Sequence, residues 1–288
     1  MVTTYIPNDL QEALAIKDAE HDVIVLAGGT DLMVRYHGDQ GLLPRFENSV
    51  LFIGQLATLQ QIEKRGNMLS IGAACRLRDL LEHPDVPEII KKAVREMASP
   101  AVRNRGTIGG NICNASPAGD TLPPLYALGA SMLIKNFAQS REVPIHSFIM
   151  GPGKVDLRQN ELLIAIQIPL DTYNVLLYKK VGARKADAIS KLSFVGMAKT
   201  ADLMIEDVRI AFGAVGPRVV RAPELERLLI GKSIAKAREV FLLVKDGYST
   251  LIQPIDDQRS NRKYRKTVSL NLLENFLTEY IKPGSGME

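Results

Sequence analysis

The alternation of apolar and polar positions predicts a chain of short helices and strands in its first half. In "NDLQEALAIK", Leu10, Ala13, Leu14 and Ile16 follow two capping residues, Asn8 and Asp9, which predicts a short helix. "DVIVLAGG" then predicts a strand whose unbroken apolar run implies burial on both faces. "SVLFIGQL" and "NMLSIGAA" predict two further strands, separated by the polar, glycine-containing "EKRG". From Pro87, "PEIIKKAVREMAS" sets Ile89, Ile90, Ala93, Val94 and Met97 on one helical face. "PLYALGASMLIK" predicts a helix end, a break at Gly129 and a strand, and "ELLIAIQIP" an alternating strand that stops at Pro169.

After about residue 172 the pattern changes. "KLSFVGMAKTADLMIEDVRIAFGAVG" predicts an antiparallel pair of strands, and from Pro223 the chain turns helical in "ELERLLIGK", "IAKAREVFLLVKDG" and "YRKTVSLNLLENFLTEYIK". A sheet followed by segregated helices indicates an α+β class. No internal repeat is visible, and "PGSGME" is expected to be a frayed tail.

Composition narrows the function classes. A chain of 288 residues is long enough for about two domains. Its formal charge of +4 arises from interspersed acids and bases, a poor match to a nucleic-acid binder. The amino terminus lacks the basic start and apolar stretch of a signal peptide, and no apolar run approaches the roughly 20 residues that span a bilayer. Cys75 and Cys113 cannot by themselves build a disulfide framework or hold an iron–sulfur cluster. His21, His37, His83 and His146 have no metal-ligand spacing, so no metal site is expected. These features together predict a cytoplasmic globular protein without a membrane span.

Two glycine loops carry the candidate chemistry. "AGGTD" follows the strand ending near Leu26, and "RNRGTIGGNICNASPAGD" lies about 80 residues further on. Glycine permits positive φ and removes the side chain that would obstruct a ligand. Successive amides in such a turn can converge on an anion. Each loop is also compatible with a plain tight turn; together they point to a dinucleotide. "AGGTDLMVRYHG" lacks the Rossmann G-x-G-x-x-G spacing. "GKS" at Gly231 to Ser233 lacks the earlier glycine of a Walker loop, where Glu226 stands, and is expected to be a helix terminus.

The pairing of "AGGTDL" with "RNRGTIGGNICNASPAGD" resembles the FAD-binding medium subunits of molybdenum-containing hydroxylases, the family of xanthine dehydrogenase and carbon monoxide dehydrogenase flavoproteins. The resemblance extends through "YIPNDLQEAL", "ELLIAIQIP", "YKKVGARKADAISK" and "DDQRSNRKYRK". It implies a two-lobed FAD-binding domain of the vanillyl-alcohol-oxidase/PCMH type, in lobes 1–57 and 58–172. A C-terminal α+β domain of antiparallel sheet and helices, 173–288, then follows.

The resemblance also implies site residues. The pyrophosphate of FAD would lie between Ala27, Gly28, Gly29, Thr30, Asp31, Leu32, Met33 and Val34 on one side and Thr107, Ile108, Gly109, Gly110 and Asn111 on the other. Asp120 matches a family aspartate near the adenosine; its other reading is a cap for the helix after Pro123. Leu163 matches a leucine against the cofactor, or is a core strand residue. Lys180, one register from Lys179, matches a lysine near the flavin, where a positive charge would favour an anionic reduced ring. Arg103 and Arg105 read as surface charges, and both cysteines as structural. No histidine lies in either loop, which implies non-covalent FAD. Two cysteines exclude the cluster-bearing insertion of benzoyl-CoA-type reductases. The centre of "DDQRSNRKYRK" departs from the small residues and Glu usual in the family; it reads as a solvated helix start that could touch a partner chain.

The implied function is an oxidoreductase subunit working only in a complex. A molybdopterin subunit oxidises the substrate, an iron–sulfur subunit relays electrons to FAD here, and NAD is the expected acceptor. No side chain of this chain is expected to act as acid, base or nucleophile. Xanthine or another purine is the expected substrate, with nicotinate, carbon monoxide and aldehydes open. A non-catalytic flavin or nucleotide module and a stand-alone flavin oxidase are the alternatives.

Overall fold

The computed structural model describes residues 2–37, 45–184, 187–237 and 239–281. The tail "PGSGME" lies outside the described residues. The chain forms two compact units. One runs through Met1–Val86, Ala98–Ser116 and Ala130–Pro169; the other through Pro87–Met97, Pro117–Gly129 and Leu170–Glu288. Two stretches from within 58–172 therefore belong to the same unit as the C-terminal half.

The first unit opens with a parallel sheet of three short strands, β1 (Thr4–Tyr5), β2 (Ile24–Leu26) and β3 (Val50–Phe52), ordered β1-β3-β2. The helix Leu10–Ala19 forms where the capping pair predicts it. Asp9 accepts the Glu12 amide at 2.8 Å, and Glu12 reaches back to accept the Asn8 amide at 2.7 Å. Lys17 closes the other end by donating to the carbonyls of His21 and Val23, each at 3.3 Å. Ala13, Leu14, Val23, Leu51, Ile53 and Leu59 fill the core behind this sheet. The expectation that β2 is buried on both faces is not met. Ile24, Val25 and Leu26 are half-buried, because β2 pairs with β3 alone and forms an edge.

The larger sheet of this unit is antiparallel, built from β4 (Ile62–Arg65), β5 (Met68–Gly72), β6 (Ser131–Lys135), β7 (Ser140–Pro144) and, later in the chain, the longer strand Leu162–Pro169. A two-stranded ribbon, β8 (Ile149–Gly151) and β9 (Lys154–Val155), precedes that strand, which is β10. β10 is central, in the order β4-β5-β10-β6-β7, with a register shift between Leu163 and Ala165. Arg141 on β7 ties the unit's late elements together. Its guanidinium meets Glu161 at 2.7 Å and Asp156 at 2.7 Å, and Glu161 is 4% exposed.

The second unit is built on an antiparallel meander, β11 (Val175–Val181), β12 (Leu192–Ala201), β13 (Met204–Gly213) and β14 (Val220–Arg221), with β12 and β13 pairing as the sequence predicts. The helix Leu122–Leu128 ends at Gly129, whose φ of +69° is the left-handed stop expected there. This helix and Glu88–Arg95 belong to the unit, and Ile89, Ile90, Ala93 and Val94 are buried on the face that the pattern marks. Phe194, Phe212, Phe276 and Tyr248 form an aromatic core with centroid separations of 5.1–5.8 Å. Gly196 makes room for it: a Cβ there would stand 2.6 Å from the Phe276 ring.

The C-terminal helices are more broken than their periodicity predicts. "ELERLLIGK" yields one short helix, Pro223–Glu226, followed by turns to Gly231 at φ +76°. Glu226 is withdrawn into the fold, where its carboxylate accepts the Ile210 amide at 2.8 Å and pairs with Arg221 at 3.0 Å. Ile234–Ala237 and Phe241–Leu251 replace a single helix. The helix start expected in "DDQRSNRKYRK" is present as Arg262–Asn275, capped by Asn261, but it is not wholly solvated: Arg265 is buried, paired with Asp257 at 2.5 Å.

The Arg141 guanidinium holds the Glu161 carboxyl below the usual carboxylate range, against the opposing effect of burial. The unfolded chain thus binds a proton at that carboxyl more readily than the folded one. Its stabilisation is present above the ordinary carboxylate pKa and is lost as pH falls through the lowered folded value. Glu161→Gln is expected to destabilise the protein by about 2 kcal/mol at neutral pH. Urea unfolding across a pH series should show the gap to the parent narrowing in acid.

Candidate functional site

The two glycine loops meet in the first unit. β2 delivers the chain to Ala27 and Gly28, and Gly29 turns it at φ +75° into the short helix Leu32–Arg35. Gly28 lies directly on the second loop. A Cβ there would run into the Arg105 carbonyl oxygen and stand 2.9 Å from the Gly106 Cα. Thr30 leans on the same place, with its Oγ1 3.2 Å from where a Gly106 Cβ would be. On the far side, the Arg35 guanidinium donates to the Asn114 side-chain oxygen at 2.9 Å. A plain tight turn would not need this backbone-to-backbone approach.

The amides of the two loops are used differently. Among the described residues, those of Gly28, Gly29, Thr30, Asp31 and Leu32 donate to no protein acceptor. Asp31 stands at the N-cap without a capping bond and instead pairs with Arg35 at 3.2 Å. Met33 and Val34 follow in the helix, and both are exposed. The second loop spends its amides internally. Ile108 donates to the Cys75 carbonyl at 3.0 Å, Gly109 to Ala73 at 2.9 Å, Gly110 to the Thr107 hydroxyl at 3.1 Å and Asn111 to the Thr107 carbonyl at 3.0 Å. The anion nest expected from the "TIGGN" amides is therefore not formed by those of Ile108 to Asn111, because Thr107 caps the helix Ile108–Asn114 and residues 73–75 take the rest. Gly109 serves close packing: a Cβ there would lie 2.5 Å from the Ala73 carbonyl oxygen. Ile108 is buried, and Gly110 faces outward.

Leu163 joins this region through the backbone. The Ala73 amide donates to the Ile164 carbonyl at 2.8 Å while the Ala73 carbonyl accepts from Gly109, which places the β10 irregularity beside the second loop. Leu163 itself is 4% exposed. Cys75 and Cys113 are structural: burial pushes both thiols up to about 12, far from a reactive thiolate. Among the described residues no group of His, Cys, Asp and Glu could hold a metal ion.

Asp120 and Lys180 lie in the second unit, bonded to each other. Lys180 Nζ meets Asp120 Oδ2 at 2.8 Å, with both side chains buried. Strand alternation in β11 separates the neighbouring lysines: Lys179 is exposed, and Lys180 shares the inward face with Tyr178. Asp120 does not cap the helix Leu122–Leu128, which begins at Thr121 without a side-chain cap. Its carboxylate instead accepts from Ser190 at 2.5 Å and Tyr178 at 3.4 Å. Ser190 and Tyr178 lie within the resembling stretch "YKKVGARKADAISK", but residue type alone singles out neither, since a serine after a loop and a tyrosine in a strand are ordinary residues. The loop from Arg184 to Ser190 includes residues 185 and 186, which lie outside the described residues.

Comparison with known proteins places this geometry. The family described as "FAD binding domain in molybdopterin dehydrogenase" matches residues 1–171, and "CO dehydrogenase flavoprotein C-terminal domain" matches residues 177–280. The glyceraldehyde dehydrogenase medium chain of Sulfolobus acidocaldarius is 34% identical over 273 residues, covering 90% of this chain and 91% of that one. The caffeine dehydrogenase subunit beta of a Pseudomonas species is 32% identical, covering 79% of this chain and 78% of its own. Among solved structures, a carbon monoxide dehydrogenase chain of Hydrogenophaga pseudoflava superposes with a TM-score of 0.86 at 25% identity, covering 97% of this chain and 96% of that chain.

Gly28→Ala forces two backbone segments apart and is expected to destabilise the protein by about 1–3 kcal/mol. Gly151→Ala meets nothing within 4 Å and has no positive φ, so it should leave stability unchanged. Thermal unfolding of the two variants side by side checks the difference.

Proposed function

The chain belongs to the FAD-binding medium subunits of the molybdenum-containing hydroxylases, and we propose that it is the station of such a complex from which electrons leave for a soluble acceptor. It is an oxidoreductase subunit and binds FAD. The observation that carries the reading is the row of amides from Gly28 to Leu32 that find no acceptor among the described residues, at a glycine pressed against Arg105 and Gly106. Such donors suit the pyrophosphate of FAD, since each hydrogen bond to a charged acceptor contributes about 1.5–3 kcal/mol.

Ala27 to Val34 are proposed to hold the pyrophosphate through the main chain. Thr107 to Asn111 back that segment and present Gly110 and Asn111. Leu163 is proposed as an apolar contact, and Asp120 and Lys180 as cofactor-associated on the family resemblance. Attachment is proposed to be non-covalent. When bound, FAD accepts electrons singly and releases them in pairs, which suits it to link iron–sulfur carriers to a two-electron acceptor. The protein's own part is binding, orientation and electrostatics.

The proposed partners are an iron–sulfur subunit and a molybdopterin subunit, with NAD as acceptor. A purine of the xanthine type is the proposed substrate; the similarity to a caffeine dehydrogenase subunit supports it, while that to a glyceraldehyde dehydrogenase chain supports an aldehyde. The molybdopterin subunit makes that choice. No helix among the described residues is long and apolar enough to cross a membrane.

Purified chain is expected to be yellow, to release intact FAD on acid treatment and to bring down molybdenum- and iron-containing partners from its native source. Gly28→Ala should weaken FAD binding by at least tenfold in a spectral titration, about the loss of one charged hydrogen bond. A folded, colourless chain that takes up no added FAD would sink the reading.

A further inference from the structure

The turn that joins β12 to β13 breaks a local rule. Ala201 pairs with Met204, so the hairpin closes on two residues, Asp202 and Leu203, at φ +49° and +64°. Such a turn favours asparagine and glycine, because most side chains are strained in the left-handed region. Here a leucine takes the second place and is 56% exposed. Folding gains little from that choice: the residue carries strain and leaves much of its apolar surface in water. A strained position that holds an apolar side chain outward points to a contact beyond the chain.

The tip is fastened to a second exposed segment of the same unit. The Leu203 carbonyl accepts the Ile234 amide at 2.8 Å, the Ile205 carbonyl accepts the Gly231 amide at 2.8 Å, and the Ile205 amide donates to the Lys232 carbonyl at 2.9 Å. These bonds lace the hairpin to the turns after the helix Pro223–Glu226. Ile230 there is 36% exposed, and Met204 on the strand 38%. Ile205, Leu229, Ile234, Phe241, Leu277 and Ile281 line an apolar cleft at this end of the unit.

Charge indicates the chemistry of the occupant. From Arg227 to Ala237 the chain carries Arg227, Lys232 and Lys236 and no acidic residue; Glu224 and Glu239 bracket the stretch without entering it. Among the described residues none of the three cations meets a carboxylate. The neighbouring acids Glu226 and Glu206 are already paired, with Arg221 at 3.0 Å and Lys199 at 2.9 Å. Asp202 adds one negative charge at the tip and leaves the rim cationic. We infer that the Leu203 hairpin and the Ile230 turn form a docking surface for another subunit of the complex, which presents apolar side chains flanked by carboxylates. This rests on the reading that the chain works within such a complex. Leucine at a left-handed position then serves association at a cost to the folded chain.

The test compares the complex purified from its native source with the full chain produced alone. Hydrogen exchange at residues 201–206 and 229–237 is expected to slow by at least about tenfold in the complex. A water-soluble carbodiimide, which joins an ammonium to a carboxylate, is expected to link Lys232 or Lys236 to an Asp or Glu of another subunit. Leu203→Asn accepts the left-handed region and removes the apolar contact. It is expected to raise the unfolding temperature of the isolated chain by about 2 °C. In the co-expressed complex it should weaken retention of the chain by at least about tenfold, as the loss of one buried leucine would. Its FAD content should match the parent's. A rise in stability with a loss of association is not produced by loosened packing. Cross-links confined to this chain or to a second copy of it, without slowed exchange, overturn the proposal. Should Leu203→Asn not fold, Lys232→Glu combined with Lys236→Glu decides, and unchanged retention overturns it. If molybdenum- and iron-containing subunits accompany the chain while both segments exchange freely, this inference alone fails. If none accompanies it, the reading of a complex fails and takes this inference with it.

Discussion

Gly28 rests on the main chain of Arg105 and Gly106 with no side chain between them, and the first unit depends on that contact. Main-chain segments rarely approach so closely outside a sheet, because a Cβ on either side keeps them apart. Here it sets one loop as a floor for the other. The floor is rigid because its amides are committed: Thr107 caps the following helix, and residues 73–75 hold Ile108 and Gly109. The segment resting on it is left with donors to offer. The proposed site for a doubly charged bridge would use both properties, since free amides bind and fixed ones prevent collapse.

The same division explains why the two loops of this chain carry glycine at three kinds of position. Gly28 and Gly109 are close approaches, against Arg105 and Ala73 respectively, while Gly29 supplies a left-handed turn. Gly110 has neither constraint from the backbone; a Cβ there would crowd the Thr107 hydroxyl that caps the helix. One residue type thus answers four separate steric demands within two short loops, which is why the loops read as a motif at all.

In the second unit the organising feature is polar. Lys180, Asp120, Ser190 and Tyr178 come from β11, from the turn before the helix Leu122–Leu128 and from the end of a loop, and they satisfy one another inside the fold. Arg221, Glu226 and the Ile210 amide do the same at the other end of the sheet. Such groups stay buried only when every partner is present. They therefore fix the mid-chain helices in place more specifically than apolar contact alone.

The sequence by itself determined the class of the protein, and it carries the two glycine loops that are proposed to hold the cofactor. Periodicity marked the meander, the buried face of Glu88–Arg95, the stop at Gly129 and the cap at Asp9, because each is a local rule in which neighbours in sequence decide the outcome. The glycine loops were legible as a family motif for the reason given above. Tertiary structure alone decided the rest. The half-buried state of β2 follows from its edge position, which an apolar run does not encode. The helices Glu88–Arg95 and Leu122–Leu128 belong with the C-terminal sheet, and an apolar stripe looks the same whichever sheet it covers. The use of the "TIGGN" amides inside the protein, and the pairing of Asp120 with Lys180, depend on residues distant in the chain. Hydrogen-bond partners are chosen by proximity in space, and proximity exists only after the chain has folded.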